Sequence, residues 1–173
     1  MPTDQTAPGS PPVDHATPPL RRFLAAVGPV ALVAVSASLV TRPNIPTWYA
    51  GLVKPAFTPP NWLFPLAWTV LYAMMSLALW RILALPRNRP GRRAAVAAFF
   101  AQLALNGLWS FAFFGAQSPL AGLVVIVALI AAILVTMRLF GGLDRTAALL
   151  LAPYLAWVAY ATLLNGAIWR LNG

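Results

Sequence analysis

Five long apolar runs, at about residues 23–40, 64–85, 94–114, 119–140 and 146–169, contain no Asp or Glu, and this constrains the fold more than any other feature of the chain. Each is long enough to cross a hydrocarbon core of about 30 Å as a helix. In lipid such a segment must satisfy its own backbone polar groups, and these runs do so by being helical. The expected fold is therefore an all-α membrane protein, a five-transmembrane-helix bundle over residues 21–173. Residues 1–20, rich in Pro, Thr and Ser, cannot bury enough apolar surface to order themselves and are expected to form a disordered tail.

With 60% hydrophobic and 9% charged residues, the chain lies far from soluble domains, which average about 25% charged. The net charge of +9 does not point to nucleic acid, because the arginines cluster at the ends of the apolar runs rather than along one soluble face. Cys is absent and the one His, His15, lies in the tail. Zinc centres, haem held by axial His or Cys, and Ser-His or Cys-His nucleophile pairs are thereby excluded. Asp4, Asp14 and Asp144 all lie outside the runs, so a carboxylate proton relay has no candidate.

Arg21-Arg22 followed by Phe23 to Val40 has the charged and apolar parts of a signal peptide, with Ser36, Ala37 and Ser38 as small residues near a cleavage position. The run is long for that role, which favours a retained first helix. Pro86 to Arg93, Gly115 to Ser118 and Gly141 to Arg145 are short, polar or Gly/Pro-rich connections that force antiparallel neighbours. Only Thr41 to Leu63 is long, and loops of that length are often lids or binding loops. Arg21, Arg22, Arg81, Arg87, Arg89, Arg92, Arg93, Arg138 and Arg145 fall on the N-terminal side, against Arg42, Lys54 and Arg170 on the other. In a bacterial plasma membrane this predicts a cytoplasmic N-terminus and an external long loop.

That loop lies in the aromatic- and proline-rich stretch from Trp48 to Trp68. Its prolines fix φ and lower the entropy lost on closing over a ligand, which suits a stiff lid. Lys54, in its middle, is either a solvated lysine or a partner for an acidic group. On the helices, Trp68 and Tyr72 share a face, as do Asn106, Trp109 and Phe113, and Trp157, Ala161 and Leu164. Such stripes either pack, form an interfacial belt, or line a cavity. Trp48, Trp62, Trp80 and Trp169 lie near helix ends and fit a belt, whereas Trp68, Trp109 and Trp157 lie deeper. Asn106 and Asn165 must face the bundle interior, either hydrogen-bonding another helix or meeting a ligand. Ala94, Ala97, Ala98 and Ala101 permit the close helix approach of a homodimer.

The stretch WYAGLVKP-x-x-x-PP-x-W-x-x-P-x-AW-x-x-LY, the run AQLALNGLWSFAFF (Ala101 to Phe114) and PYLAWVAYATLLN (Pro153 to Asn165) together resemble the tryptophan-rich sensory protein, or TspO, family, whose mitochondrial members are the translocator or peripheral-type benzodiazepine receptors. The resemblance covers all five spans and implies a bundle, often dimeric, with a pocket capped by the first loop, in a family that binds porphyrins, sterols and benzodiazepine-type drugs. It implies ligand-lining roles for Trp48, Tyr49, Trp68, Asn106, Trp109, Trp157, Ala161 and Leu164. Trp68 and Trp157 match the tryptophan pair proposed to support light- and oxygen-dependent porphyrin breakdown in some bacterial members. Two features depart from the pattern. The sterol-recognition segment lacks its Tyr shortly before Arg170, which disfavours cholesterol. Lys54-Pro55-Ala56-Phe57 also stands where many relatives have an aromatic-rich KPxW segment, leaving a smaller aromatic surface on the lid.

The expectation is a multi-pass membrane protein that requires no cofactor and binds a planar tetrapyrrole, protoporphyrin IX or haem, with Lys54 or Arg42 pairing its propionates. A porphyrin-degrading photo-oxidative enzyme and a porphyrin or sterol transporter are the alternatives.

Overall fold

The structure is a computed structural model and describes residues 18–173. The expected tail falls outside those residues except at its end, where Pro19 and Leu20 already belong to the first helix. The described chain is all helical: α1 (Pro19–Asn44), α2 (Leu63–Ala84), α3 (Arg92–Ser110), α4 (Pro119–Gly141), a short α5 (Arg145–Leu149) and α6 (Ala152–Asn172). Among the described residues five helical segments are long and apolar enough to cross a membrane. Their outer faces are apolar too: Leu39 is 72% exposed, Val124 65% and Leu163 69%, a surface that fits lipid and not water.

The spans form a ring in which α1 touches α2 and α3, α4 touches α3 and α6, and α2 closes against α6. Gly122 makes the α4–α6 contact possible. A Cβ there would stand 2.9 Å from both Asn165 Oδ1 and Phe113 Cδ2. Small residues at helix contacts serve this end in membranes, where close packing replaces the hydrophobic drive. Ala97 and Ala101 of the expected small-residue stripe face outward on α3.

The first helix runs further than its prolines predict. Instead of ending near Val40, α1 continues through Asn44 into a π-helical turn, Ile45–Tyr49, so the connection to α2 is much shorter than expected. Pro43 and Pro46 remove N–H donors, but Asn44 Nδ2 donates to Val40 O (2.9 Å) and Thr47 Oγ1 to Pro43 O (2.9 Å). These side-chain donors brace the widened turn at the Val40 and Pro43 carbonyls. The fifth span differs in the opposite direction. It is interrupted at Leu150-Leu151, because Pro153, in the first turn of α6, has no N–H with which to continue α5.

Helix ends on the arginine-rich side are closed by side chains. Arg92 donates from Nε to Ile82 O (3.2 Å) and from Nη2 to Leu83 O (3.3 Å), capping the last carbonyls of α2. Asp144 caps α5 by accepting from Ala147 N (3.1 Å) and binds Arg81 Nε at 2.8 Å, tying α2 to the α4–α5 turn. At the other end of α4, Ser118 Oγ accepts from Ala121 N (3.2 Å) with Pro119 in the first turn, as expected.

Two apolar clusters divide the interior. The larger runs from the middle of the bundle to the arginine-rich end and includes Leu79, Ile82, Leu129 and Ile133, with Phe99 stacked on Phe140 (centroids 6.0 Å, planes 7° apart). The smaller, built on Tyr49, Phe113, Phe114, Leu164 and Ile168, lies at the loop end. The candidate site lies on that side.

Candidate functional site

A cavity of about 490 Å³ opens between α1, α2, α3 and α6, within the usual range of about 300–1,000 Å³ for small-molecule pockets. Three helices each bring one indole to its wall: Trp68 from α2, Trp109 from α3 and Trp157 from α6. Ala161 and Leu164, one and two turns beyond Trp157, continue the α6 wall. Tyr49, Phe64, Phe113 and Phe114 add aromatic surface toward the loop end.

Ring packing fixes the orientation of these indoles. Trp68 stacks on Tyr72 (5.2 Å, 29°), and Trp109 stacks on Phe113 (5.3 Å, 20°). Trp157 stands edge-on to Phe64 at 6.0 Å. Trp109 Nε1 also donates to Asn165 Oδ1 (3.1 Å), whose own Nδ2 donates to Pro119 O (2.7 Å). Asn165 thus satisfies an indole and the first turn of α4 together while itself lining the cavity.

Asn106 is placed differently. It lies behind the wall, where its Oδ1 accepts from Tyr72 OH (2.8 Å) and its Nδ2 donates to Tyr154 OH (3.1 Å). Tyr72 lines the cavity and Asn106 does not, so the asparagine positions a lining residue by linking α2, α3 and α6. Trp48 is likewise not a lining residue. It packs edge-on against Phe113 (5.4 Å) and Phe114 (6.2 Å), backing the wall that those two rings form.

The loop does not carry Trp48 and Tyr49 as expected, because both lie in the π-helical turn at the end of α1. The chain between there and α2 crosses to the opposite side of the bundle and is fastened to α6. Asn172 clamps the backbone of Val53, accepting from its N–H (2.9 Å) and donating to its carbonyl (2.9 Å), while Tyr160 OH donates to Phe57 O (2.6 Å). Within it, Thr58 donates from both N and Oγ1 to Pro55 O, closing a tight turn. Lys54 is spent on local partners. Its Nζ donates to Leu52 O (2.9 Å) and Ala50 O (3.2 Å) and lies over the Tyr49 ring at 4.9 Å. Arg42, by contrast, lies on the cavity wall and is the one charged residue there among the described residues.

The contribution of α1 was not foreseen. Ala34, Ala37, Ser38 and Thr41 form a stripe of small residues on the cavity side, and their spacing of three, four and seven was the available signal. The other wall positions that the spacing did not single out include Ser110 and Ile168.

The profile of the TspO/MBR family matches residues 25–170. The chain belongs to the TspO/MBR family. It is 44% identical over 151 residues to the tryptophan-rich protein TspO of Archaeoglobus fulgidus, covering 87% of this chain and 97% of that protein. It is 41% identical to the tryptophan-rich sensory protein of Cereibacter sphaeroides, over 87% of this chain and 89% of the relative. With the human translocator protein it shares 38% identity over 72% of this chain and 75% of the relative. Membership in the TspO/MBR family and five apolar helices make this an integral membrane protein. The matched region contains the three indoles, the asparagine links and the α6 wall.

Proposed function

We propose that this TspO-family protein binds a planar tetrapyrrole, protoporphyrin IX or haem, in the cavity between α1, α2, α3 and α6, and acts as a sensor or sequestering protein. The observation that supports this reading is the convergence of three indoles on one apolar cavity with one guanidinium on its wall. Indole faces stack on a flat conjugated ring, each aromatic pair contributing about 0.5–1.5 kcal/mol beyond area burial. Arg42 supplies a charge-assisted partner for a propionate. In this role Arg42 replaces Lys54, whose ammonium already has two carbonyl partners.

The test is a dark titration of the purified protein in detergent with protoporphyrin IX, followed by tryptophan quenching and porphyrin absorbance. Saturable micromolar binding is expected, roughly tenfold weaker in the Trp68→Phe/Trp157→Phe double variant. Unchanged curves in that variant would remove the cavity from consideration. The expected topology, with the arginine-rich end in the cytoplasm, is testable by labelling single cysteines placed in the Pro86–Gly91 turn, since the chain has no Cys of its own.

A second reading has its own support in the pairing of indoles with phenols: Trp68 stacks on Tyr72, and Trp157 lies 6.0 Å from the Tyr160 ring. Such pairs can pass electrons to a light-excited porphyrin while dioxygen serves as the oxidant. Illumination in air then yields a distinct product that the Trp157→Phe variant does not form. Bleaching at the rate of free porphyrin would refute that chemistry.

A further inference from the structure

A second recess, of about 540 Å³, lies on the outside of the bundle between α1 and α2. Among the described residues Tyr72 alone borders both this groove and the inner cavity. On α1 the groove is lined by Phe23, Val27, Val30 and Ala31, and the cavity by Ala34, Ala37, Ser38 and Thr41. These positions follow one another at intervals of three and four, so they make one stripe on one face of the helix. On α2, Trp68, Tyr72, Ser76 and Trp80 fall four apart, the first two on the cavity and the last three on the groove. Groove and cavity are therefore two lengths of a single furrow between α1 and α2, divided at the Tyr72 ring.

The division hangs on one hydrogen bond. Tyr72 OH donates to Asn106 Oδ1 (2.8 Å), which draws the ring inward toward α3, and Asn106 is itself anchored to α6 through Tyr154 OH (3.1 Å). Because α1 and α2 are antiparallel, the α1 stripe at the depth of Tyr72 is Ala31 and Ala34, side chains small enough for a swinging ring to pass. The helix opposite is held lightly: of the 26 residues of α1, only Ala26, Val30 and Ala37 are buried. It also carries a hinge near this level. Pro29 has no N–H to donate to Ala25 O, and a Cβ on the adjacent Gly28 would meet nothing within 4 Å.

We propose that the α1–α2 furrow is a lateral entrance by which a flat, apolar-bodied amphiphile passes from the bilayer into the cavity, with Tyr72 as its gate and the bond to Asn106 as the latch. The choice of ligand rests on the tetrapyrrole reading, whereas the opening does not. A ligand with an apolar body concentrates in the bilayer, and the groove meets it there with apolar walls, Phe23 being 52% and Leu77 46% exposed. Entry along the furrow keeps that body out of water throughout. The loop end, by contrast, is crossed by a chain tied to α6 at Val53 and Phe57. Asn106 stays bonded to Tyr154 when Tyr72 lets go, so the latch keeps its place and can close again.

The test of the opening needs no tetrapyrrole. The chain has no Cys, so Ala161→Cys puts a single thiol on the cavity wall. The full chain carrying it is placed in liposomes, and labelling by a pyrene maleimide dissolved in the bilayer is timed. Adding Tyr72→Phe should speed labelling about fivefold, the factor by which losing one hydrogen bond shifts an equilibrium between closed and open forms. Adding Ala73→Trp, which fills the groove outside the cavity, should slow it, and Asn172→Ala, which frees the loop, should leave it unchanged. Melting temperatures close to that of the Ala161→Cys parent show that each variant is folded. A thiol that the reagent does not reach, or a rate that ignores both Tyr72→Phe and Ala73→Trp, would overturn the proposal. With protoporphyrin IX, Ala73→Trp should slow binding and release by the same factor and leave the affinity unchanged. The expected labelling without any porphyrin binding would remove the tetrapyrrole reading and leave the entrance standing.

Discussion

The two halves of the bundle use the same kind of helix for opposite ends. Toward the arginine-rich side the interior is filled: Met75, Leu79, Ile82, Phe99, Ile133 and Phe140 have no exposed surface, α2 is capped by Arg92, and the α4–α5 turn is held to α2 by an ion pair. Toward the loop side the rings touch only at their edges and faces, two helices widen into π turns, and the middle is empty. Close packing in one half allows the other to keep a cavity open, since a bundle that was loose throughout would have no fixed wall against which to hold three indoles. Stability and binding are therefore expected to separate along the membrane normal.

The strongest way to break this division is to truncate a large ring in each half. Phe140→Ala removes a fully buried stacked ring and is expected to cost about 3–5 kcal/mol in detergent unfolding. Trp68→Ala borders space that is already empty and should cost about 1 kcal/mol, mostly its stacking on Tyr72, while weakening ligand binding. Equal losses would mean that the cavity half carries as much of the fold as the packed half.

A smaller effect sharpens the comparison at the loop. Asn172→Ala with Tyr160→Phe removes the ties between the loop and α6, at about 1 kcal/mol for each tie. Faster hydrogen exchange at the Val53 amide is expected, with no change at Leu79. Unchanged exchange at Val53 would show that the prolines alone hold the loop.

The smallest effect is electrostatic and belongs to the packed half. Burial works to raise the pKa of Asp144, but the hydrogen bond and charge of Arg81 and the N–H groups of Ala147 and Thr146 outweigh it, so the folded carboxyl titrates below its ordinary value of 3.8. A carboxyl depressed in the folded state contributes stability above its unfolded pKa and loses it as pH falls through the lower folded value. The melting temperature should thus hold steady down to about pH 4 and drop below it, and Asp144→Asn should flatten that drop. The pair is partly solvated, which limits the effect to about 1 kcal/mol or less.

Much of the architecture was legible because hydropathy and arginine punctuation act locally. The second and fourth spans begin and end within one residue of their expected bounds. The end of α1 was not legible, since a proline ordinarily ends a helix and nothing local announces that the chain runs past Pro43 and Pro46 through a π turn braced by Asn44 and Thr47. Within the site, Trp68, Trp109, Trp157, Ala161 and Leu164 followed from helical spacing, and all line the cavity. Trp48, Asn106 and Lys54 invited the same reading by their chemistry, yet each is occupied by another part of the protein: two phenylalanine rings of the turn after α3, two tyrosines and two carbonyls. The α1 wall escaped notice for the converse reason. Ala34, Ala37 and Ser38 shape the cavity by the volume they leave unfilled, and nothing in a small residue announces which neighbour it makes room for.

The π turns at Ile45–Tyr49 and Phe111–Gly115 stand against each other, with Tyr49 5.7 Å from the Phe114 ring. Each holds roughly one residue more than an α turn, and one residue is about 100° of rotation. Deleting a single residue from either turn would mend the regular hydrogen-bond ladder while swinging Tyr49, or Phe113 and Phe114, around the helix axis. The aromatic face at the mouth is therefore set by counting, as a thread pitch sets where a screw stops, and a one-residue change in helix length would alter it more than most changes of side chain.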